Sequence, residues 1–341
     1  MRARAVVALF AVGMLAAACT DGSATQGSAG TVLSIQAPST TSVANVEPEP
    51  EPDSASTSCT PLEPTVSIVD ASPVWEDGMV RELGVVRQRM DSRVNSPVST
   101  SSAVDLRVIA SDDGWAFAWP YSAAQFLGGP SNSATEGDVI DLRYGVDARG
   151  SWRGLENPEE VRAFVLDLVD SFAASGLDQR STDGLRQLYS GLSDEQLGVL
   201  FSEDPQVFHY FDGVEIGIEE ELTFDVELDN IFGGSSFPAT STIRIADSQD
   251  AEGCVVFEDL TVLDAQAALP ILVDSLSEVY GVEVPAEEQV IGEGFWIEKK
   301  VTGRWDQGSK LFVEVKLRKV LRIQGDQVTD IVLISDVGKR R

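Results

Sequence analysis

The sequence predicts an α+β fold: one large curved antiparallel sheet of about nine to eleven strands, with helices inserted midway and packed on one face. Three observations predict it. Period-two apolar alternation recurs from residue 104 to residue 146, bounded by turn residues. Helical spacing with capping residues is concentrated between residues 157 and 201. Alternation then resumes and dominates to the C-terminus.

The N-terminus comes first in chain order. Arg2 and Arg4 precede an apolar run from Ala5 to Ala18, the charged and apolar regions of a secretory signal. The run is too short to stay in a bilayer as a spanning helix. Leu15-Ala16-Ala17-Ala18-Cys19 resembles the lipobox of bacterial lipoproteins, with Ala16 where leucine is the commoner residue. That resemblance implies loss of residues 1–18 and transfer of a diacylglyceryl chain to the Cys19 thiol. A second acyl chain on the new amino terminus would make the anchor firm, since one chain binds membranes only marginally. The alternative is an ordinary secretory signal cut after an A-x-A pattern.

Residues 19–65 read as a tether. From Thr20 to Thr65 there is no aromatic residue, lysine or arginine, and "EPEPEP" occupies residues 47–52. Such a segment cannot bury enough apolar surface to offset the entropy of ordering, and its Glu-Pro repeat favours extended backbone. Three cysteines occur in the chain. With Cys19 acylated, Cys59 at the end of the tether and Cys254 at the start of a strand are left to pair in an oxidising compartment. Two separate thiols are the alternative.

Residues 66–341 form the folded body, expected as a single α+β domain with a subdivision near residue 200 left open. In "WEDGMVRELGVVRQRMDSRV" (75–94), Met79, Leu83, Val86 and Met90 fall at helical spacing despite Gly78 and Gly84. A hairpin follows, with Val104, Leu106 and Val108 alternating before Asp113-Gly114 and Trp115, Phe117 and Trp119 after it. "VIDLRYGV" continues with Ile140, Leu142, Tyr144 and Val146.

The middle turns helical. Asn157 stands as N-cap, Pro158 as first helical residue and Gly176 as terminator of a helix striped by Val161, Phe164, Val165, Leu168 and Phe172. Ser193 and Gln196 form a capping box ahead of Leu197, Leu200 and Phe201. A short helical piece spans 185–189.

Strands then dominate: 221–229, 239–247 and 254–263, a helix near 270–280 with Pro270 in its first turn, and a closing meander near 294–305, 310–323 and 328–337. One meander face carries Leu311, Val313, Val315, Leu317 and Leu321.

Charge and motif content narrow the function classes. The chain holds 25 basic and 55 acidic side chains, a formal charge of −30. Nucleic acid is therefore not an expected partner. All six lysines follow residue 298. His209, in "VFHYFDG", is the sole histidine, and without a G-x-S-x-G elbow it reads as a residue leading into a strand rather than a catalytic base. Neither a zinc ligand set, an EF-hand loop nor a phosphate loop is present as a motif, and no cofactor is called for. A carboxylate-dependent hydrolase needs only two acids, which sequence cannot nominate among 55.

Two surfaces are singled out instead. Lys300, Arg304, Lys316, Arg318 and Arg322 form a basic interaction face for anionic lipid or an envelope protein, unless Asp225, Glu227 and Asp229 lie beside them in a neighbouring strand. Leu222, Phe224, Val226, Val313, Val315 and Leu317 line either an apolar cavity for a small molecule or a filled core packed on the helix at 157–175. A curved sheet under helices resembles, in architecture alone, the lipid-binding lipoproteins of bacterial envelopes. The expectation is thus a membrane-anchored extracytoplasmic lipoprotein, non-enzymatic, binding an apolar ligand or, alternatively, serving as an envelope interaction module.

Overall fold

The structure, a computed structural model, describes residues 58–340 apart from 95–96, 124–138, 149, 175, 177, 231–234, 281–293 and 324. The expected signal segment, Cys19 and the expected tether up to residue 57 lie outside the described residues. β1 (Ile68–Asp70) and β7 (Glu215–Gly217) form a small ribbon of their own. Two meanders make up the main sheet. The first runs through β2 (Val80–Asp91), β3 (Val98–Ser111), β4 (Gly114–Ser122), β5 (Val139–Asp147) and β6 (Trp152–Leu155). The second runs through β8 (Glu221–Leu228), β9 (Phe237–Asp247), β10 (Val255–Leu263), β11 (Trp296–Asp306), β12 (Leu311–Ile323) and β13 (Asp326–Arg340).

The eleven strands are ordered β6-β5-β4-β3-β2-β13-β12-β11-β10-β9-β8, antiparallel throughout. The first and last strands of the sheet therefore pair at its centre, and the chain must travel between its two outer edges. Four helices make that journey: α1 (Pro158–Ala174), α2 (Gln179–Gly191), α3 (Asp194–Phe201) and α4 (Glu203–Phe208). The first packs on β5, α3 on β6, and α4 on β12 and β13. A fifth helix among the described residues, α5 (Ala265–Tyr280), packs on β9.

Local chemistry accounts for these boundaries. Ser193 and Gln196 close the expected capping box at the start of α3, and Asp178 accepts the Ser181 N–H at 3.0 Å to cap α2. Gly114 opens β4 at φ 146°, where an added Cβ would meet the Val146 carbonyl oxygen at 2.3 Å, so only glycine fits beneath this turn. Asn157 does precede α1, but its amide ties the helix to the sheet: Oδ1 accepts Arg143 N–H, and Nδ2 donates to Asp141 O, both at 2.9 Å.

Among the described residues two large apolar clusters, and a small third one at the Cys59–Cys254 pair, form the core. The larger gathers Leu83, Val85, Leu106, Phe117, Trp119, Tyr144, Phe211, Phe257, Trp305 and Val315 beneath α1–α4. The smaller joins Leu228, Phe237, Leu263, Phe295 and Ile297 to Leu272 of α5. Each fully buried large side chain contributes roughly 1.5–3 kcal/mol.

Several expectations change. Residues 80–91 are a central strand, not a helix. Leu83 and Val85 point into the core, whereas Val86 is only half-buried and Met90 is 40% exposed; pairing on both sides by β3 and β13 outweighs the helical spacing. Helix α5 begins at Ala265, so Pro270 lies inside it with its ring on an exposed face, and the bond a residue there would donate to the Gln266 carbonyl is not made. On α1, Val169 joins Val161, Val165 and Leu168 as buried, while Phe164 and Phe172 are half-buried.

Candidate functional site

Cys59 and Cys254 form a disulfide with a Cα–Cα distance of 5.0 Å across 195 residues. Around it residues 59 and 60 are tied to the body. Cys59 N–H donates to Glu252 O at 2.8 Å, Thr60 N–H to Asp306 Oδ1 at 2.7 Å, and Cys254 N–H to Asp250 Oδ1 at 2.8 Å. Arg304 closes the cluster on Asp250 and Glu252, both at 2.8 Å. Burial opposes the charge of Asp306, but the N–H groups of Thr60, Ser309 and Gly308 outweigh it and hold the carboxyl below its ordinary range.

The expected apolar set does not line one cavity. Val315 and Leu317 are buried in the main cluster, and Val313 packs on the disulfide because the register shifts opposite Arg304 and Trp305. Leu222 and Val226 are half-buried at the β8 edge, where Phe224 is 43% exposed. Val315 and Leu317 share the larger cluster with Val161, Val165 and Val169 of α1, Leu222 packs at its margin, and Val226 packs against the smaller cluster. An open recess of about 610 Å³ lies elsewhere, lined by Val66, Ser67 and residues 217–220 beside the β1–β7 ribbon.

The basic outer face is compensated, though not by the acids expected. Three strands separate β8, with Asp225, Glu227 and Asp229 at its end, from β12. Lys300 instead meets Glu258 at 2.5 Å, Arg318 meets Glu298 at 3.1 Å, and Arg322 donates to Gln327 at 2.9 Å. Lys316 stands on the same face, in register with Thr302 and Leu333.

His209 sits in an aromatic box after α4. Its Nδ1–H donates to Asp212 at 2.6 Å, leaving Nε2 to accept the Tyr144 hydroxyl at 3.0 Å. Trp75 and Phe117 enclose the ring, with centroids 5.7 and 4.6 Å away. Burial, then the Asp212 charge, pushes the Tyr144 phenol far above its ordinary range. A neutral, fully buried phenol is a fastener here, not a nucleophile.

A different site emerges on the inner face of the sheet. Cross-strand partners share a face, and one row reads Phe224–Ser241–Thr261–Lys299–Lys319–Asp330–Arg89 across seven strands. The adjacent row holds Leu222, Ile243, Asp259, Val301, Leu317, Val332 and Arg87. On one side of the polar row lies the larger apolar cluster, on the other the α5 cluster.

The row is densely networked at its centre. Ser241 Oγ donates to Asp259 Oδ1 at 2.5 Å, and the Tyr210 hydroxyl donates to the other oxygen of the same carboxylate. Lys299 Nζ lies 4.5 Å from the Tyr210 ring centroid. Burial lowers the Lys299 ammonium below its ordinary 10.5, with Asp259 opposing and Lys319 adding to the shift. At the far end Arg89 approaches Asp330 at 3.8 Å, and burial raises the Asp330 carboxyl. Arg87 fastens α4 above the row through Asp204 at 2.7 Å and Glu203 at 3.1 Å.

Sequence reasoning missed this row, though its trace is visible. In β9, β10, β11, β12 and β13 the apolar alternation is broken at Ser241, at Asp259 and Thr261, at Lys299, at Lys319 and at Asp330. Only the strand register brings those interruptions side by side. Among the described residues no cluster of three or more His, Cys, Asp or Glu side chains is arranged to hold a metal ion. No protein-family model matches the chain, and no curated protein matches its sequence.

Proposed function

We propose that the protein is exported, acylated on Cys19 and held at the outer face of a membrane by its acidic tether, where the body acts as a non-enzymatic binding protein. The Cys59–Cys254 disulfide carries this reading. Such bridges persist in oxidising compartments and are rare in the cytosol, and this one joins the end of the tether to the body. The lipobox-like run at Leu15–Cys19 supports the same address.

The binding site in this reading is the polar row between the two apolar clusters. Half-buried charges flanked by apolar walls suit a ligand with a polar head and an apolar part, the latter lying toward Leu222, Phe224 and Val226. An interaction module acting through the outer basic face has less behind it, because Lys300, Arg304 and Arg318 already meet carboxylates of the same chain.

Expression of the full chain in a bacterial host tests the proposal. The wild type should partition with membranes, and its first peptide should begin at an acylated Cys19. The Cys19→Ala chain should lose both properties. Native mass spectrometry of the detergent-extracted wild type should show a retained small molecule. An unacylated mature protein starting anywhere other than Cys19 overturns the address, and a bare protein mass after mild extraction counts against the binding role.

A further inference from the structure

Resting on the reading of the polar row as a binding site, we infer that Lys299 and Lys319 form the floor of an oxyanion site, taking a carboxylate or phosphate ester whose apolar part lies toward Phe224.

The two lysines are direct cross-strand partners, and like charges in that relation destabilise a sheet. Both are half-buried, which adds a desolvation cost. Neither makes an ion pair within 4 Å among the described residues, whereas Lys300, Arg81, Arg87, Arg244, Arg304 and Arg318 all do. Acids outnumber bases 55 to 25 in the chain, so carboxylates are not in short supply.

One carboxylate stands in the next row. Asp259, however, is taken up by the Ser241 and Tyr210 hydroxyls, and Lys299 rests on the Tyr210 ring instead. At the other end Asp330 is the cross-strand partner of Lys319 on one side and of Arg89 on the other; it comes within 3.8 Å of Arg89 and makes no ion pair within 4 Å with Lys319. Neither acid closes on a lysine within 4 Å, and the two half-buried ammonium groups stand side by side on one face of the sheet. A negatively charged head bridging them removes their repulsion and supplies the missing partner. Thr261, beside Lys299, is buried and donates its hydroxyl to Ser241, so it belongs to the network that holds Asp259. The lowered ammonium of Lys299 agrees with a site that is electrostatically incomplete without its ligand.

The test uses the mature acylated chain in phosphatidylcholine nanodiscs, titrated by calorimetry with inorganic phosphate, with dihexanoyl phosphatidic acid and with phosphatidylglycerol vesicles. Lys299→Met or Lys319→Met should weaken binding roughly tenfold or more. Lys300→Met, on the opposite face, should change it less than about twofold. The inner variants should melt at the same temperature as the wild type or higher, because a like-charge pair has gone. A merely structural pair would instead lower the melting temperature. Binding of the soluble anions assigns a free oxyanion, and binding of the vesicles alone assigns a lipid headgroup; both support the site. Failure of all three probes at millimolar concentration, or binding that survives both inner substitutions, overturns it. If these probes fail while a neutral molecule is retained on extraction, the oxyanion site falls and the binding role stands.

Discussion

His209 shows how one side chain is fixed by what surrounds it. The ring joins Asp212 to Tyr144, and both His209 and Asp212 have side chains only 3% exposed. Deleting the ring strands a carboxylate and a hydroxyl in an apolar box. His209→Ala should therefore cost about 3 kcal/mol of unfolding free energy, read from urea denaturation. Removing Asp212 as well should cost less than the sum of the two single losses, since the second deletion removes a group already orphaned. An additive pair would show that the network is not coupled. At this scale the sequence identifies a lone histidine among aromatics, but not its partners: Tyr144 lies 65 positions away and is delivered by β5.

Strands and helices are where hydrophobic pattern reads best, and where it misleads in a specific way. The hairpin at residue 114, the strand at Leu142 and Tyr144, the capped helix α3 and the closing meander follow from periodicity and turn chemistry alone. Strand β2 does not. Its spacing fits a helix, and only hydrogen bonding on both sides selects the extended form. Gly303 of β11 marks a second element-level constraint. Phe211, Phe257 and Phe312 converge there with centroids 5.6 to 5.8 Å apart. An added Cβ would meet Phe211 at 2.7 Å and Phe312 at 2.9 Å. Gly303→Ala should consequently destabilise the fold by about 1–3 kcal/mol through overpacking, lowering the denaturant midpoint with little change in slope. Phe211 adjoins Tyr210, so the same variant should also loosen the seat of Lys299.

Across the whole molecule, the disulfide closes a span of 195 residues. Its reduction should lower stability by about 2–5 kcal/mol, visible as a drop in melting temperature with reductant that Cys254→Ser reproduces. The carboxylates around it add a pH dependence. Asp250 and Asp306 are both held below their ordinary 3.8; burial opposes each charge, and hydrogen bonding outweighs it. Their stabilisation is present above that value and is lost as pH falls through the lowered one. Denaturant midpoints should decline in that acidic range, and Asp306→Asn should flatten the decline. Local sequence determined the alternating strands and the helix caps, because each depends on neighbours a few positions apart. Which strand lies beside which was decided only by tertiary structure, through the centre pairing of β2 with β13 and the long helical crossing between the edges. The polar row exists only because of that order: five interruptions, each a minor flaw within its own strand, become one site when register stacks them.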